Sequence, residues 1–414
     1  MREVDAFKAK WRALDAEKPG ERELLARMEE LRAISLRFLE PDFTVFLVKD
    51  TLHKALEGLW GSLKLAPLGF ADLVGSLDGN RTIEMSREWV ELVAALRGEP
   101  RRDEFLARLA TKDARDLLGT EARTLWERFL ERNGHNRTSW DIAVPCWSDA
   151  PEQLAPLLAA SIAGASAARG TKDRQIAAAQ KLRTALGEAG LGDATGRVES
   201  AVALLRDFMR MDEELHFLTG HLLEPSRKLV LAAGSWLAGE GLLARADDAF
   251  FMELGELKGA LRAPRATLRF LAERRRAEFE RACKSEPPFE YPVDELPLSV
   301  DSRPRLASDR SLLGKAMSGG VGEGIVVIAE HLGGVGKLER GSVLVTTAPN
   351  PAFVPLYPLL GGIVSATGGM LSHGFVAARE FGLPAVSGIA DATTRLKVGT
   401  RVRVDGERGV VEIL

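Results

Sequence analysis

Thr367-Gly368-Gly369-Met370-Leu371-Ser372-His373-Gly374-Phe375-Val376-Ala377-Ala378-Arg379-Glu380 is the stretch on which the fold turns. A β-type run ends near Ala366, two glycines permit a tight turn, and helical spacing begins near His373. A helix is expected over 372–381, stopped by Gly382 and followed by Pro384. The start of such a helix offers unbonded backbone N–H groups and a positive dipole end, which suit an anion. Ser372 and Thr367 are candidate hydroxyl donors to that anion, Gly368 and Gly369 form the turn, and Gly374 leaves the imidazole face open. An imidazole with a pKa near ~6.5 is mostly neutral at cellular pH and is a good nucleophile toward phosphorus. The stretch alone leaves His373 open to two readings, a helix cap and a nucleophile.

Outward from this stretch, short Val- and Ile-rich runs at 324–329, 342–347, 362–366, 385–388, 400–404 and 409–414 read as strands. Asp405-Gly406-Glu407-Arg408-Gly409 fits the connection of a terminal hairpin. The last hundred or so residues therefore read as a compact α/β domain. Gly333-Gly334-Val335-Gly336-Lys337 is not a P-loop, because the first glycine of that motif would fall on His331 and Leu338 follows the lysine.

Upstream the period changes. Leu-, Ala-, Glu- and Arg-rich segments at 23–39, 87–96, 102–109, 122–130 and 171–186 repeat apolar residues every three or four positions, giving one buried face per helix. A further helix is expected over 195–224, bent or ended by Pro225, with another over 226–237. Pro287, Pro288, Pro292, Pro297 and Pro304 make 286–310 a poor helix and a natural linker. The expected architecture is multidomain α and α/β. Residues 1–285 are expected to form a helical domain, which the family resemblance given below implies is substrate-binding, 286–310 a proline-rich linker, and 311–414 the C-terminal domain.

Composition narrows the classes. The 414 residues are 45% hydrophobic and 28% charged, with a formal net charge of −3, which gives no basic footprint for nucleic acid or an anionic membrane. Two cysteines, Cys146 and Cys283, do not make a disulfide scaffold. The charged N-terminus lacks a signal-peptide core, and no apolar run reaches a membrane-spanning length, so a cytoplasmic location is expected.

Residues 316–414 closely resemble the mobile, swivelling phosphohistidine domain of enzymes that use or make phosphoenolpyruvate, with the rifampin phosphotransferase branch nearest. The matching pieces occur in order: Ser318 to Gly324, Gly341 to Val345, Pro355 to Pro358, Gly368 to Gly374, Ala378 to Val386, Val404 to Gly406 and Gly409 to Val411. The resemblance implies a β/β/α swivelling domain and maps the phosphorylated histidine onto His373. Thr367, Gly368, Gly369, Ser372, Gly374 and Arg379 then support the phosphohistidine.

A looser resemblance to the same branch covers much of 120–285. Gly134-His135-Asn136 and Asp141 to Trp147 look like its Gly-His-Arg and Pro-Arg-Trp patterns, but Asn136 and Cys146 stand where arginines are usual. Arg137 is adjacent to the first departure. Candidate residues of an acceptor site are His135, as a general base, with Arg137, Asp141, Arg210, Glu213 and His216. Glu213 and His216 are spaced i,i+3, and Arg210 and Glu214 i,i+4, so each pair shares a helix face. No metal centre is expected.

The resemblance further implies a phosphotransferase component in which His373 carries a phosphoryl group to a small-molecule acceptor. ATP and Mg²⁺ would sit in a separate ATP-grasp-type subunit or a missing module, since no nucleotide-binding module is visible. Two other classes remain: a regulatory or assembly protein that kept the fold, and an enzyme of different chemistry with the histidine domain as a lid.

Overall fold

The computed structural model describes residues 19–75, 77, 79–111, 113–137, 139–163, 172–263, 268–284, 306–308, 311–330 and 338–414. A helical N-terminal region over about 21–282 precedes a C-terminal β/α domain over about 311–413. The proline-rich linker, apart from 306–308, and the glycine-rich loop at 333–337 lie outside the described residues.

The helices are α1 (Glu21–Ser62), α2 (Pro67–Val74), α3 (Arg81–Arg97), α4 (Arg102–Ala107), α5 (Thr120–Asn133), α6 (Ala155–Ala163), α7 (Lys172–Glu188), α8 (Thr195–Gly239), α9 (Leu254–Arg262) and α10 (Leu268–Ala282). The C-terminal domain adds α11 (His373–Phe381) and α12 (Ala392–Arg395). Pro225 was expected to bend or end its helix, and the residues after it to begin another. It does not end the helix: α8 runs through it as one helix of 45 residues. Proline removes one backbone donor there. Buried Leu222 and Leu229 on either side keep the segment packed, and the Ser226 hydroxyl donates to the Leu222 carbonyl at 2.7 Å.

Two compact units divide the chain: Met1–Pro41 with Ser139–Pro145 and Leu218–Asp301, and Asp42–Thr138 with Cys146–Phe217 and Ser302–Leu414. In the first unit, Leu24, Met28, Leu229, Leu237, Leu257 and Leu261 share a core. Arg275 pairs there with Glu256, and Arg276 with Asp248.

The second unit contains the sheet, in the order β1-β2-β9-β8-β4-β5-β6-β7-β3. Its strands are β1 (Leu306–Ser308), β2 (Ser311–Leu313), β3 (Lys315–Ser318), β4 (Val321–Ile328), β5 (Ser342–Thr346), β6 (Leu360–Ser365), β7 (Ala385–Ser387), β8 (Arg401–Asp405) and β9 (Val410–Ile413). The centre, β4 to β7, is parallel, while β8 and β9 form the expected antiparallel hairpin. The first three strands carry no clean alternation and were not expected.

Alternation explains how the sheet is buried on both faces. Val326, Val343, Val345, Val364 and Val386 enter one core with Leu396 and Val404. Their neighbours Val327, Leu344, Ile363 and Ala385 point to the other face, against Phe375 of α11. That second core continues into Trp89, Phe129 and Trp147 of the helical region, so helices and sheet share one interior within this unit. Phe129 and Trp147 stack at 6.0 Å with 17° between their planes. Each such fully buried side chain contributes about 1.5–3 kcal/mol.

Candidate active site

Strand β6 delivers the chain to the turn at Thr367–Gly369, and α11 begins at His373 with Ser372 as its N-cap. Gly368 has φ +126°, and a Cβ there would lie 2.8 Å from the Phe375 ring, so glycine is required on both counts. Gly374 was expected to free the imidazole face. A Cβ on it would instead lie 2.6 Å from the Pro349 carbonyl oxygen and Cβ, so its role here is close packing of the helix start. Gly374→Ala is predicted to destabilise the protein by about 1–3 kcal/mol through overpacking. A thermal unfolding midpoint equal to wild type would contradict this.

Across from α11 stands α8. Asn80 caps α3 by accepting from the Ile83 N–H at 3.1 Å, and the start of α3 holds two acidic residues of α8. Arg81 binds Glu214 with two hydrogen bonds of 2.8 and 2.9 Å, and the Thr82 hydroxyl donates to Glu213 at 3.2 Å. A helix N-terminus favours such negative charge. Held this way, Glu213 accepts a hydrogen bond from His373 Nδ1. His216, one turn along α8, lies against the His373 ring, with centroids 4.0 Å apart and 46° between planes. Lys49 of α1 pairs with Asp212 of α8 at 2.6 Å.

His373 and His216 border a cavity of about 510 Å³, within the range of small-molecule sites. His373, Ser372, His216, Lys49, Asp212 and the exposed ring of Phe46 are in its wall. His373 is 20% exposed, so it reaches the cavity while its other side is packed. The Ser372 hydroxyl is buried without a hydrogen-bond partner.

Burial works against a charge on His373. The Glu213 carboxylate, helped by Asp212, outweighs it and holds the imidazole pKa above its ordinary value. His216 goes the other way: burial, then the neighbouring His373 and Lys49, push it down to about 3. The unfolded chain therefore takes up a proton at this position as pH falls below 6.5, and the folded chain does not until about 3. Stability from this group is present above pH 6.5 and is lost as pH falls toward 3. His216→Phe is predicted to flatten the fall in unfolding midpoint between about pH 6.5 and pH 4. Equal slopes for the two proteins would count against it.

Of the residues expected from sequence, Glu213 and His216 meet His373, and Gly369 and Ser372 share its cavity. Thr367 spends its hydroxyl on the Thr347 carbonyl at 3.0 Å and is not in the cavity wall. Arg379 is buried at the far end of α11, bonded to the Met317 carbonyl. Arg210 pairs with Asp207 on the exposed side of α8 rather than with Glu214. His135 is buried edge-on against Phe217 at 4.8 Å, and Arg137 is also buried. Asp141 belongs to the first unit, where it borders an apolar cavity of about 520 Å³. Lys49, Asp212 and Thr82 were not anticipated. Among the described residues, no group of three or more His, Cys, Asp or Glu is placed to hold a metal ion. No described helix is long and apolar enough to cross a membrane. Neither cysteine is in a disulfide.

Both parts of the chain match known families. Residues 338–409 match the PEP-utilising enzyme mobile domain, and residues 38–213 match the rifampicin phosphotransferase fourth domain. The chain carries a PEP-utilising enzyme mobile domain and is related to the rifampicin phosphotransferases and phosphoenolpyruvate synthases. It is 30% identical to the rifampicin phosphotransferase of Streptomyces sviceus and 26% identical to that of Bacillus subtilis, over 82% of this chain in each case. The phosphoenolpyruvate synthase of Pyrococcus furiosus is 42% identical over 24% of the chain and 12% of that protein. The chain spans about 40% of the length of the rifampicin phosphotransferases it matches.

Proposed function

We propose that this chain is a phosphotransferase component in which His373 carries a phosphoryl group and delivers it to a small-molecule hydroxyl. The observation that carries the reading is the His373–Glu213 hydrogen bond at the wall of the cavity. With Nδ1–H donated to Glu213, the neutral ring has its lone pair on Nε2.

In charging, Nε2 attacks phosphorus, an N–P bond forms, and a P–O bond of the donor breaks with its electron pair leaving on the nucleotide. ATP and Mg²⁺ act in a separate ATP-grasp-type subunit or a module beyond this chain. In delivery, the acceptor oxygen attacks phosphorus, the N–P bond breaks, and its pair returns to Nε2. The acceptor's proton passes to Nε2, and its release to solvent restores the neutral ring for the next charging step. Lys49, the Ser372 hydroxyl and the first turn of α11 supply positive potential and donors for the phosphoryl oxygens.

The test is a labelling experiment with ATP-grasp proteins encoded beside this gene. With ATP labelled at the β or γ position, acid-labile label is expected on the chain. It should be discharged on adding a hydroxyl acceptor, beginning with rifampicin because of the relatives' activity. Absence of label with every such protein, or label that no acceptor discharges, would contradict the corresponding half-reaction.

A further inference from the structure

A second cavity, of about 590 Å³, opens at the C-terminal end of α11 and shares no wall residue with the His373 cavity. Arg379 stands in its wall, 4% exposed. One guanidinium nitrogen, Nη1, donates to the Met317 carbonyl at 3.0 Å, while Nε and Nη2 are buried with no hydrogen-bond partner. A buried guanidinium with unused donors is an expensive arrangement unless something anionic completes it.

Cations outnumber carboxylates in the cavity wall. Arg174 and Lys181 of α7 are in the same wall. Arg174 is positioned by donating to the Arg379 carbonyl at 2.7 Å and lies 3.5 Å from Asp72. Two carboxylates, Asp72 and Glu407, are also present. Burial holds the Asp72 carboxyl above its ordinary pKa despite Arg174, Arg379 and Lys181, which weakens its compensation of those cations.

We propose that this cavity binds a small oxyanion, the phosphate or carboxylate group of a metabolite, through Arg379, Arg174 and Lys181. A monohydrogen phosphate would also give its P–OH hydrogen to Asp72, a contact that a carboxylate cannot make.

Calorimetric titration of the whole chain with inorganic phosphate, and separately with malonate, tests the site. Saturable binding of at least one anion is expected, and the anion preferred assigns the class. Lys181→Ala and Arg174→Ala are each expected to weaken it about tenfold, the loss of one charge-assisted hydrogen bond. The same affinity in His373→Ala separates this site from the His373 cavity, so the result stands whether or not His373 carries phosphate. No saturation with either anion, affinity unchanged in both α7 variants, or loss of binding in His373→Ala would overturn the proposal.

Discussion

His373→Ala is expected to leave no acid-labile phosphoryl label on the chain and to abolish transfer to the acceptor. The expectation follows from the chemistry of the step. Covalent transfer requires a lone pair at the cavity, and the neighbouring imidazole cannot replace it. Although His216 is neutral, it is packed against His373, and burial depresses its basicity to a pKa of about 3. Alanine also leaves the buried Glu213 carboxylate with the Thr82 hydroxyl but without its imidazole partner. A lost partner of that kind costs about 1–3 kcal/mol, too little to unfold a domain of ordinary stability. Circular dichroism and thermal unfolding therefore separate loss of the carrier from loss of the fold. Full labelling of a folded His373→Ala variant would contradict the carrier role.

Glu213→Gln is expected to have the second largest effect, because it acts on both the tautomer and the basicity of His373. A glutamine keeps the size and one acceptor but removes the negative charge that offsets burial. The His373 pKa should fall, which an NMR titration of the imidazole reads directly. Delivery should slow by about 10- to 100-fold, taking as a guide the loss when the partner that orients a metal-bound histidine is removed. The linkage sign follows from the raised native value. In wild type the pair's contribution to stability is complete below the unfolded pKa near ~6.5 and is lost as pH rises through the native pKa. The difference in unfolding midpoint between wild type and Glu213→Gln should therefore be largest in mild acid and shrink at alkaline pH. A His373 pKa that is unchanged or higher in the variant would remove Glu213 from the mechanism.

The C-terminal domain was legible because its signals are local. Period-two runs, glycine punctuation and a strand–turn–helix stretch each specify their own backbone, and strands β4 to β9 follow them. The opposite wall was legible only in part. Glu213 and His216 could be seen to share a helix face, but their partner lies 160 residues away from Glu213, beyond any periodicity. Lys49 and Thr82 enter the site through the packing of α1 and α3 beside α8, which no local pattern encodes.

Two residues show how sequence proximity misleads. Arg379 lies six positions after His373, which turns it about 120° around the helix and carries it more than one turn along. It therefore belongs to a different cavity. Arg210 has the right spacing to Glu214, yet Arg81 binds that carboxylate with two parallel hydrogen bonds, and Arg210 turns to Asp207. Pro225 likewise carries a local signal for a helix end that burial on both sides overrides.

The central claim is tested most directly by locating the phosphoryl group. The whole chain is charged chemically with phosphoramidate, which needs no partner protein, and its ³¹P NMR spectrum and phosphopeptides are recorded under alkaline conditions. One phosphohistidine is expected, at His373, bonded through Nε2. Stable phosphorylation at another residue with His373 unmodified, or attachment at the Nδ1 that Glu213 holds, would contradict it.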